Sequence, residues 1–374
     1  MTRLSDEYGA INLSQGMPDF DPPSPLVEAA VEATRHGSNQ YAVTWGQKSL
    51  REAIADKIGE YNHIDANPET EITVTCGATE AVAAAVLGLA NPGDQIAIPD
   101  PFYENYVPDA MMAGARPIYV PFAPSLGFEE ESLKTAMSKK PKLLLLNTPN
   151  NPTGKVLDRA QLRLVADLCE DNGTTIISDE IYEHIVFDGK RHLSIGAIGN
   201  MHERTVTVSA ASKTYSVTGW RVGWAVAERR LSAAVRRIHD YLTICAPTPF
   251  QEAIAVALKF PETYYTKLAE MYDKKRRQIM KALEEVSLEY HRPEGAYYIL
   301  VNVPSEFKDG ETFTDHLLKK LGLAVLPADA LYHDKEVGKR KVRIAFCKRD
   351  TTLQETARRL RKLTPKTKPT ARSR

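Results

Sequence analysis

The chain has 374 residues, 43% of them hydrophobic and 26% charged, and its 48 basic side chains balance its 48 acidic ones. This length exceeds one compact core and predicts two domains. The composition excludes wholesale disorder. The zero net charge gives no electrostatic reason to expect nucleic acid or an anionic membrane as a partner.

The cysteines and the apolar segments bear on location and on metal binding. The four cysteines are far apart in the chain, without the spacing of a metal site or a disulfide framework. The first residues lack the apolar core of a signal peptide. The longest apolar stretch, 81–90, is about half as long as a bilayer-spanning helix. We therefore expect a soluble cytosolic protein without a bound metal.

The first three quarters of the chain alternate between helices and short apolar strands. A Pro-rich N-terminal segment ends in a predicted helix over 25–36. The predicted strands cover 72–76, 95–99, 143–146, 174–178 and 205–209, with helices predicted over 79–90, 103–113 and 158–171. Continuously apolar strands are typical of parallel strands covered by helices on both faces. The pattern predicts an α/β fold whose mostly parallel sheet is doubly wound.

The C-terminal part has a different pattern. A charged helical stretch over 261–285 leads to an aromatic strand, 296–303, a helix over 312–321 and a last strand over 341–346. These elements predict a smaller α+β unit. We expect three parts, namely a large domain over 39–285, a small domain built from both chain ends over 1–38 plus 286–365, and a flexible basic tail over 366–374.

Lys213 follows the predicted strand 205–209 within the sequence SAASKTYSVTGWRVG. Lysine is rarely buried, so one interpretation is a solvated amine beyond the strand end. The other is a partly desolvated amine whose lowered pKa allows covalent chemistry with a carbonyl. The lysine alone does not separate these interpretations, but the residues around it do.

The segment from Ser212 to Gly223 resembles the cofactor-lysine motif of class I/II aminotransferases, the pyridoxal 5'-phosphate (PLP) enzymes of fold type I. Five more fragments resemble this family in the family's order, at 12–20, 39–41, 147–154, 178–182 and 342–344. Six fragments in one order make a chance similarity implausible. The resemblance implies the fold type I architecture, with PLP held covalently by Lys213.

The same resemblance assigns residues to the cofactor ring. Asp179 ends an apolar strand and by itself could cap the next helix. The family implies that its carboxylate pairs with the pyridine nitrogen and keeps it protonated. Tyr182 and Asn151 would donate to the ring oxygen O3', although Asn151 alone is also typical of a turn before proline. Tyr103 would stack on the ring face, with Phe102 as the adjacent competitor for that position.

The cofactor phosphate needs N–H groups, hydroxyls and a cation. Gly77, Ala78 and Thr79 lie between a strand and a helix whose N-terminus can bind an anion, although a plain turn is the alternative. Arg221 matches the family's phosphate-binding arginine. Tyr41 matches the tyrosine that reaches the phosphate from a partner subunit, which implies a homodimer.

The chain departs from the family at one position and matches it at the substrate carboxylate. Ala210 stands where the family usually has Ser or Gly, three residues before the lysine. A phosphate-binding hydroxyl would then come from Ser209 or Ser212, or be missing. Arg343 matches the arginine that binds the substrate α-carboxylate bidentately, and Gly16 would approach the same carboxylate through its backbone.

The predicted activity is ping-pong transfer of an amino group from an L-amino acid to a 2-oxo acid such as 2-oxoglutarate. The fragment over 14–20 most resembles the subgroup acting on glutamine, methionine, kynurenine or aromatic amino acids, which favours a neutral or aromatic donor. An aspartate aminotransferase of the same subgroup and a PLP-dependent C–S or β-lyase remain open. A DNA-binding regulator of this fold is remote, because the resemblance starts by about residue 11.

Overall fold

The computed structural model describes residues 1–363, and the predicted basic tail over 366–374 lies outside this range. Its backbone separates into two compact units. The larger unit holds Phe20–Ala269 and Glu294–Ala296, and the smaller unit holds Met1–Asp19, Glu270–Pro293 and the chain from Tyr297 onward.

A seven-stranded sheet forms the centre of the larger unit. Six strands run in one direction, and Gly223–Val226 is antiparallel to both of its neighbours. The order across the sheet is Ile72–Thr75, Gly223–Val226, Thr205–Ala210, Thr175–Asp179, Leu143–Asn147, Gln95–Asp100 and Arg116–Pro121. The predicted α/β fold with a mostly parallel sheet is confirmed.

Helices cover this sheet on both faces because successive residues of each strand point to opposite sides. On the strand Thr175–Asp179, for example, Ile177 packs into one apolar cluster and Ile176 into another. The α-helices of this unit are Ser24–Arg35, Lys48–Lys57, Ala78–Leu89, Tyr106–Met112, Glu130–Met137, Arg159–Asn172, Ala211–Thr214, Arg229–Leu242 and Thr248–Ala257. Short π or 3-10 turns are Ile58–Asn62, Ile195–Ala197 and Met201–Arg204.

The smaller unit is an α+β structure. Its four-stranded antiparallel sheet has the order Leu326–Pro327, Lys341–Ala345, Tyr298–Asn302 and Tyr290–His291. Ile11–Asn12 pairs in parallel with Leu323–Ala324. Helical elements are Thr2–Glu7, Gly310–His316, Leu317–Leu321, Ala328–Leu331, Lys335–Gly338 and Asp350–Leu360, and Glu262–Glu285 runs from the larger unit into this one.

The division of the chain differs from the expected one at both boundaries. Residues 20–38 belong to the larger unit, because Leu26 on the helix Ser24–Arg35 packs in one cluster with Ile254. Residues 270–285 belong to the smaller unit, where Lys275 donates to the carbonyl of Lys348 at 2.6 Å. Sequence patterns locate helices but do not show which unit buries their apolar faces.

Two strands of the large sheet were absent from the sequence prediction. Arg116–Pro121 is an edge strand with an exposed residue at each end, so its apolar signal is weak. Gly223–Val226 has only four residues. Within residues 1–363, no helix combines the length and apolar character that crossing a membrane requires.

Candidate active site

The predicted cofactor residues gather at one edge of the large sheet. Asp179 is the last residue of its strand, and Lys213 lies in the short helix that follows the neighbouring strand Thr205–Ala210. Gly77 follows the strand Ile72–Thr75, which points the same way. Ligand sites of open α/β sheets form at the carboxyl ends of parallel strands.

Asp179 is a buried carboxyl group with fixed partners. Its side chain accepts a hydrogen bond from the hydroxyl of Tyr106 at 2.7 Å and one from the N–H of Ile181 at 3.3 Å. Burial raises the pKa of Asp179 to about 6, although these hydrogen bonds and the Lys213 ammonium act in the opposite direction. A cation placed against this carboxylate would offset the penalty of burial. The site therefore favours a protonated nitrogen as the partner of Asp179.

Lys213 and Tyr182 lie close to each other in this site. The Lys213 ammonium is 6.0 Å from the centroid of the Tyr182 ring, and the Tyr182 side chain is only 3% exposed. Lys213 itself is half-buried. The structure thus brings together the amine, the tyrosine and the carboxyl group that the sequence predicted for one site.

The two adjacent aromatic candidates, Phe102 and Tyr103, occupy different environments. Phe102 is buried in the core and stacks on Tyr119 with ring centroids 5.8 Å apart. Tyr103 packs edge-on against Tyr106 at 5.6 Å, and Tyr106 donates to Asp179. Tyr103 is therefore the aromatic residue nearer the candidate site. Tyr106 was not predicted for the site, because its only signal in the sequence is its place three residues after Tyr103.

The turn from Cys76 to Thr79 has the geometry of an anion site. Gly77 has φ +84° and precedes the helix Ala78–Leu89, whose first N–H groups have no acceptor within the helix. A Cβ at Gly77 would overlap the Arg221 guanidinium, and Arg221 donates to the carbonyl of Cys76 at 3.2 Å. Arg221 has a left-handed backbone, with φ +55°, which is uncommon for a residue other than glycine.

The structure assigns Ser209 to a different place from the predicted phosphate site. The Ser209 hydroxyl donates to Glu183 at 2.7 Å, in a buried polar cluster. Ser209 alternates along its strand with Val208 and Ala210, which pack into the apolar cluster on the opposite face. Of the two hydroxyls considered, only that of Ser212 remains a candidate for the phosphate.

Asn151 and Tyr41 have contrasting surroundings. Asn151 is buried, and its N–H donates to the side chain of Asn147 at 2.7 Å. Asn147 in turn donates to the carbonyl of Asp179 at 2.8 Å, so Asn151 is linked through one residue to Asp179. Tyr41 is 78% exposed. A tyrosine this exposed is available to another surface.

Arg343 and Gly16 come together within the smaller unit. Arg343 is buried and donates to the carbonyl of Ser14 at 2.9 Å, two residues before Gly16. The guanidinium carbon lies 4.3 Å from the centroid of the Tyr298 ring. A Cβ at Gly16 would overlap the Tyr298 hydroxyl, and the Tyr297 hydroxyl donates to the Gly16 carbonyl at 2.9 Å. The structure thus brings Arg343 and Gly16, the two residues predicted to bind the substrate α-carboxylate, close to the same tyrosine, Tyr298.

A buried polar network follows Asp179 in the chain and was not anticipated from the sequence. The ammonium of Lys57 lies 2.6 Å from Glu183, and Asn62 donates to Glu183 at 2.8 Å. His192 lies 2.8 Å from Glu180. Burial alone would raise the pKa of Glu183, but the charge and hydrogen bond of Lys57, together with His184 and His192, outweigh it and hold that pKa at about 2.

The carboxylates Glu180 and Glu183, together with His192, have a spacing that could hold a metal ion. Their oxygens already accept hydrogen bonds. Glu180 accepts from Ser178 at 2.8 Å and Ser194 at 2.9 Å, and Glu183 is paired with an ammonium. The Lys57 ammonium therefore already supplies a positive charge to this cluster, as in a buried ion-pair network.

A strand-end carboxylate, a lysine after the next strand and a glycine turn facing an arginine define the class of fold type I PLP enzymes. The chain belongs to the family described as "Aminotransferase class I and II", which matches residues 8–360. It is a PLP-dependent aminotransferase, and it transfers an amino group to a 2-oxo acid.

Two relatives and one solved structure show how far the similarity extends. The chain is 38% identical to a probable N-succinyldiaminopimelate aminotransferase of Mycobacterium tuberculosis, covering 96% of this chain and 94% of the relative. It is 37% identical to the methionine aminotransferase of Escherichia coli, covering 97% and 94%. The structure of the M. tuberculosis N-succinyldiaminopimelate aminotransferase superposes with a TM-score of 0.95 at 38% identity, covering 97% of this chain and 96% of that one.

The residues at the sheet edge fit PLP. The raised pKa of Asp179 reflects a buried carboxyl group that lacks a full counter-charge, as a partner of a pyridinium nitrogen must. The glycine turn could receive a phosphate, because it opens a helix N-terminus and the Arg221 guanidinium lies directly against Gly77. Each end of the cofactor therefore has a matching group.

Proposed function

We propose that Lys213 is the covalent attachment point of PLP and that Asp179 pairs with the pyridine nitrogen. The observation that carries this proposal is the buried Asp179 carboxyl group, held by Tyr106 at 2.7 Å and acted on by the Lys213 ammonium. Gly77, Ala78, Thr79 and Arg221 hold the phosphate. Ser212 is the remaining hydroxyl candidate. Tyr103, Asn151 and Tyr182 contact the ring and its O3' oxygen.

Each proposed residue contributes to the reaction in a definite way. PLP, when bound, supplies a carbonyl carbon for the amino group and an electron-accepting ring. The Lys213 amine would hold PLP and, when free, would take the proton from the substrate Cα as a general base and donate it to the cofactor carbon C4' as a general acid. Asp179 keeps the ring nitrogen protonated. Arg343 and the Gly16 backbone bind the substrate α-carboxylate.

Replacing Lys213 by alanine tests the attachment. The wild-type enzyme loaded with PLP should show a visible absorbance band. Borohydride should remove this band and leave the cofactor permanently attached to one peptide, the one that contains Lys213. The K213A variant should lose this band and yield no labelled peptide. An unchanged spectrum in K213A would refute the assignment of Lys213.

We propose a neutral or aromatic amino acid as the preferred donor and 2-oxoglutarate as an acceptor. The support is the fragment over 14–20 and the similarity to an enzyme described as a methionine aminotransferase. A donor panel of Met, Phe, Gln, Asp and N-succinyldiaminopimelate, each with 2-oxoglutarate, decides the order. A strong preference for aspartate would support the second candidate instead. Release of ammonia or a thiol without a 2-oxo acid would indicate a lyase.

We propose a homodimer in which Tyr41 reaches the phosphate of the partner subunit. Two highly exposed tyrosines support this proposal, Tyr41 at 78% and Tyr241 at 90%. Tyr241 lies two positions after His239, which is buried and contacts Thr44. Mixing two inactive variants, K213A and Y41A, tests it. A shared site should regain activity in hybrid dimers, since one of their two sites then carries neither substitution. A monomer by sedimentation would overturn the proposal.

We also propose a cytosolic location. Its support is that Cys76, Cys169, Cys245 and Cys347 are all free thiols in the structure. Fractionation of the native cells with a tagged chain tests this proposal, and recovery in a secreted fraction would contradict it.

A further inference from the structure

His239 is a fully buried histidine near the phosphate turn that the proposed mechanism does not use. It lies in the helix Arg229–Leu242, and its side chain is 0% exposed. Its Nε2 lies 2.7 Å from the backbone carbonyl oxygen of Thr44. A carbonyl oxygen can only accept a hydrogen bond, so Nε2 carries a proton.

The other ring nitrogen faces a carboxylate. Nδ1 of His239 lies 2.6 Å from Oε1 of Glu80, and the Thr243 hydroxyl donates to the same oxygen at 2.9 Å. Glu80 is in the first turn of the helix Ala78–Leu89, where the helix dipole stabilises an anion. An ionised carboxylate also only accepts, which places a second proton on His239.

The charges around the ring agree with an imidazolium. Burial alone would lower the pKa of His239, but the hydrogen bond and the negative charge of Glu80 outweigh it, and Asp240 adds to the same effect. The net result is a raised pKa. The pair of His239 and Glu80 thus resembles a buried ion pair in which both partners have hydrogen-bonded neighbours.

This ion pair joins two segments of the candidate site. The second oxygen of Glu80 accepts a hydrogen bond from the N–H of Cys76, whose carbonyl accepts from Arg221 at 3.2 Å. Both backbone groups of Cys76 are therefore held by side chains, immediately before the turn Gly77–Thr79. Thr44, the other partner of His239, lies three residues after Tyr41.

We propose that His239, as an imidazolium, is a positioning residue for the cofactor phosphate. Through Glu80 it fixes the turn over 76–79, and through Thr44 it ties the segment carrying Tyr41 to that turn. The inference rests on the proposed role of this turn in phosphate binding. It adds a residue that touches neither cofactor nor substrate and acts through its neighbours.

The protonation state can be measured without any substitution. Nitrogen-15 NMR of the wild-type holoenzyme at neutral pH should show two protonated ring nitrogens for one histidine, identified by its absence in H239Q. An unprotonated Nδ1 in that histidine would overturn the inference, because the link to Glu80 would then lack its charge.

Binding measurements test the link to the phosphate. The H239Q variant removes the charge and one of the two donors, so we expect its apoenzyme to bind PLP and inorganic phosphate about tenfold more weakly. Binding of pyridoxal, which lacks the phosphate, should be unchanged. Equal weakening of PLP and pyridoxal would overturn the inference, as would unchanged binding of both.

Matched variants separate this inference from the proposed function. E80Q should show the same selective loss, and the double variant should lose no more than either single one, because the two residues act as a pair. H36Q is the control, since His36 pairs with Glu32 at the surface with 70% of its side chain exposed. A wild-type protein that bound no PLP would refute the proposed function itself, whereas wild-type binding in H239Q and E80Q refutes only the role of His239.

Discussion

The guanidinium of Arg343 stacks on the ring of Tyr298, with 4.3 Å between the guanidinium carbon and the ring centroid. The two residues lie on adjacent antiparallel strands, where Arg343 is opposite Leu300 and therefore diagonal to Tyr298. Tyr298 is 3% exposed, and its hydroxyl abuts Gly16. One side chain thus supports both residues proposed to bind the substrate carboxylate.

The contact between Arg343 and Tyr298 predicts that loss of the Tyr298 ring weakens substrate binding without affecting cofactor binding. Y298L removes the platform under the guanidinium, and we expect KM for the amino acid and the 2-oxo acid to rise about tenfold, in line with a partly buried cation–π contact of about 1–2 kcal/mol. Y298F keeps the ring and should stay near wild type. The absorbance of the bound cofactor should be unchanged in both variants. A loss of kcat without a change of KM in Y298L would contradict this prediction.

The ionised Asp179 carboxylate should lower the free energy of unfolding when no cofactor is bound. Its pKa is raised to about 6 by burial, so its ionised form is disfavoured in the folded chain. The protonated Asp179 carboxyl contributes to the free energy of unfolding when the pH is below its unfolded pKa near 3.8. This contribution is lost as the pH rises through the folded pKa of about 6. We therefore expect D179N to make the apoenzyme more stable at pH 7, on the order of 1–3 kcal/mol, while abolishing transamination.

Thermal unfolding of the apoenzymes at pH 4 and pH 7 measures this effect. The difference between D179N and wild type should be large at pH 7 and small at pH 4. A wild-type apoenzyme that is more stable than D179N at pH 7 would argue against a destabilising carboxylate at this position.

The ion pair between Lys57 and Glu183 should contribute strongly to stability. Both side chains are nearly fully buried, at 7% and 2% exposure, and their charged atoms are 2.6 Å apart. K57M leaves a buried carboxylate without its cation, so we expect a loss of about 3–5 kcal/mol. K48M, at an exposed lysine of the same helix, should change stability by less than about 1 kcal/mol.

Urea unfolding of the apoenzymes provides this comparison. The double variant K57M/E183Q should recover part of the loss, because it removes both charges together. Equal stabilities of K57M and K48M would show that the buried pair has no special role.

The glycine at position 77 should be required for cofactor binding. Its φ of +84° is strained for any other residue, and a Cβ there would overlap the Arg221 guanidinium. We expect G77A to weaken PLP binding at least about tenfold by displacing Arg221 from the turn. G93A is the matched control, because Gly93 has a similar φ of +89° and a Cβ there would meet no atom within 4 Å. Similar PLP affinities in G77A and G93A would contradict a steric role for Arg221.

The sequence predicted the candidate site through motifs that follow its apolar strands. The resemblance to class I/II aminotransferases implied the roles of Lys213, Asp179 and the turn over 77–79. Each of them follows or ends a predicted strand, and parallel strands bring such positions to one edge. The structure places Asp179 at the end of one strand and Lys213 in the short helix after the neighbouring strand, and it sets Gly77 against Arg221.

The sequence by itself determined the α/β class, the family and the order of the motifs, because strand and helix periodicity and short motifs are local properties of the chain. Only the tertiary structure decided that Ser209 faces Glu183, that Tyr106 holds Asp179 and that His239 joins Glu80 to Thr44. Those partners lie between 26 and 195 positions apart. A strand buried on both faces carries no sequence signal for the side that Ser209 takes. Tyr106, Glu80 and His239 lie on helices, and only packing brings these helices to partners so distant in the chain.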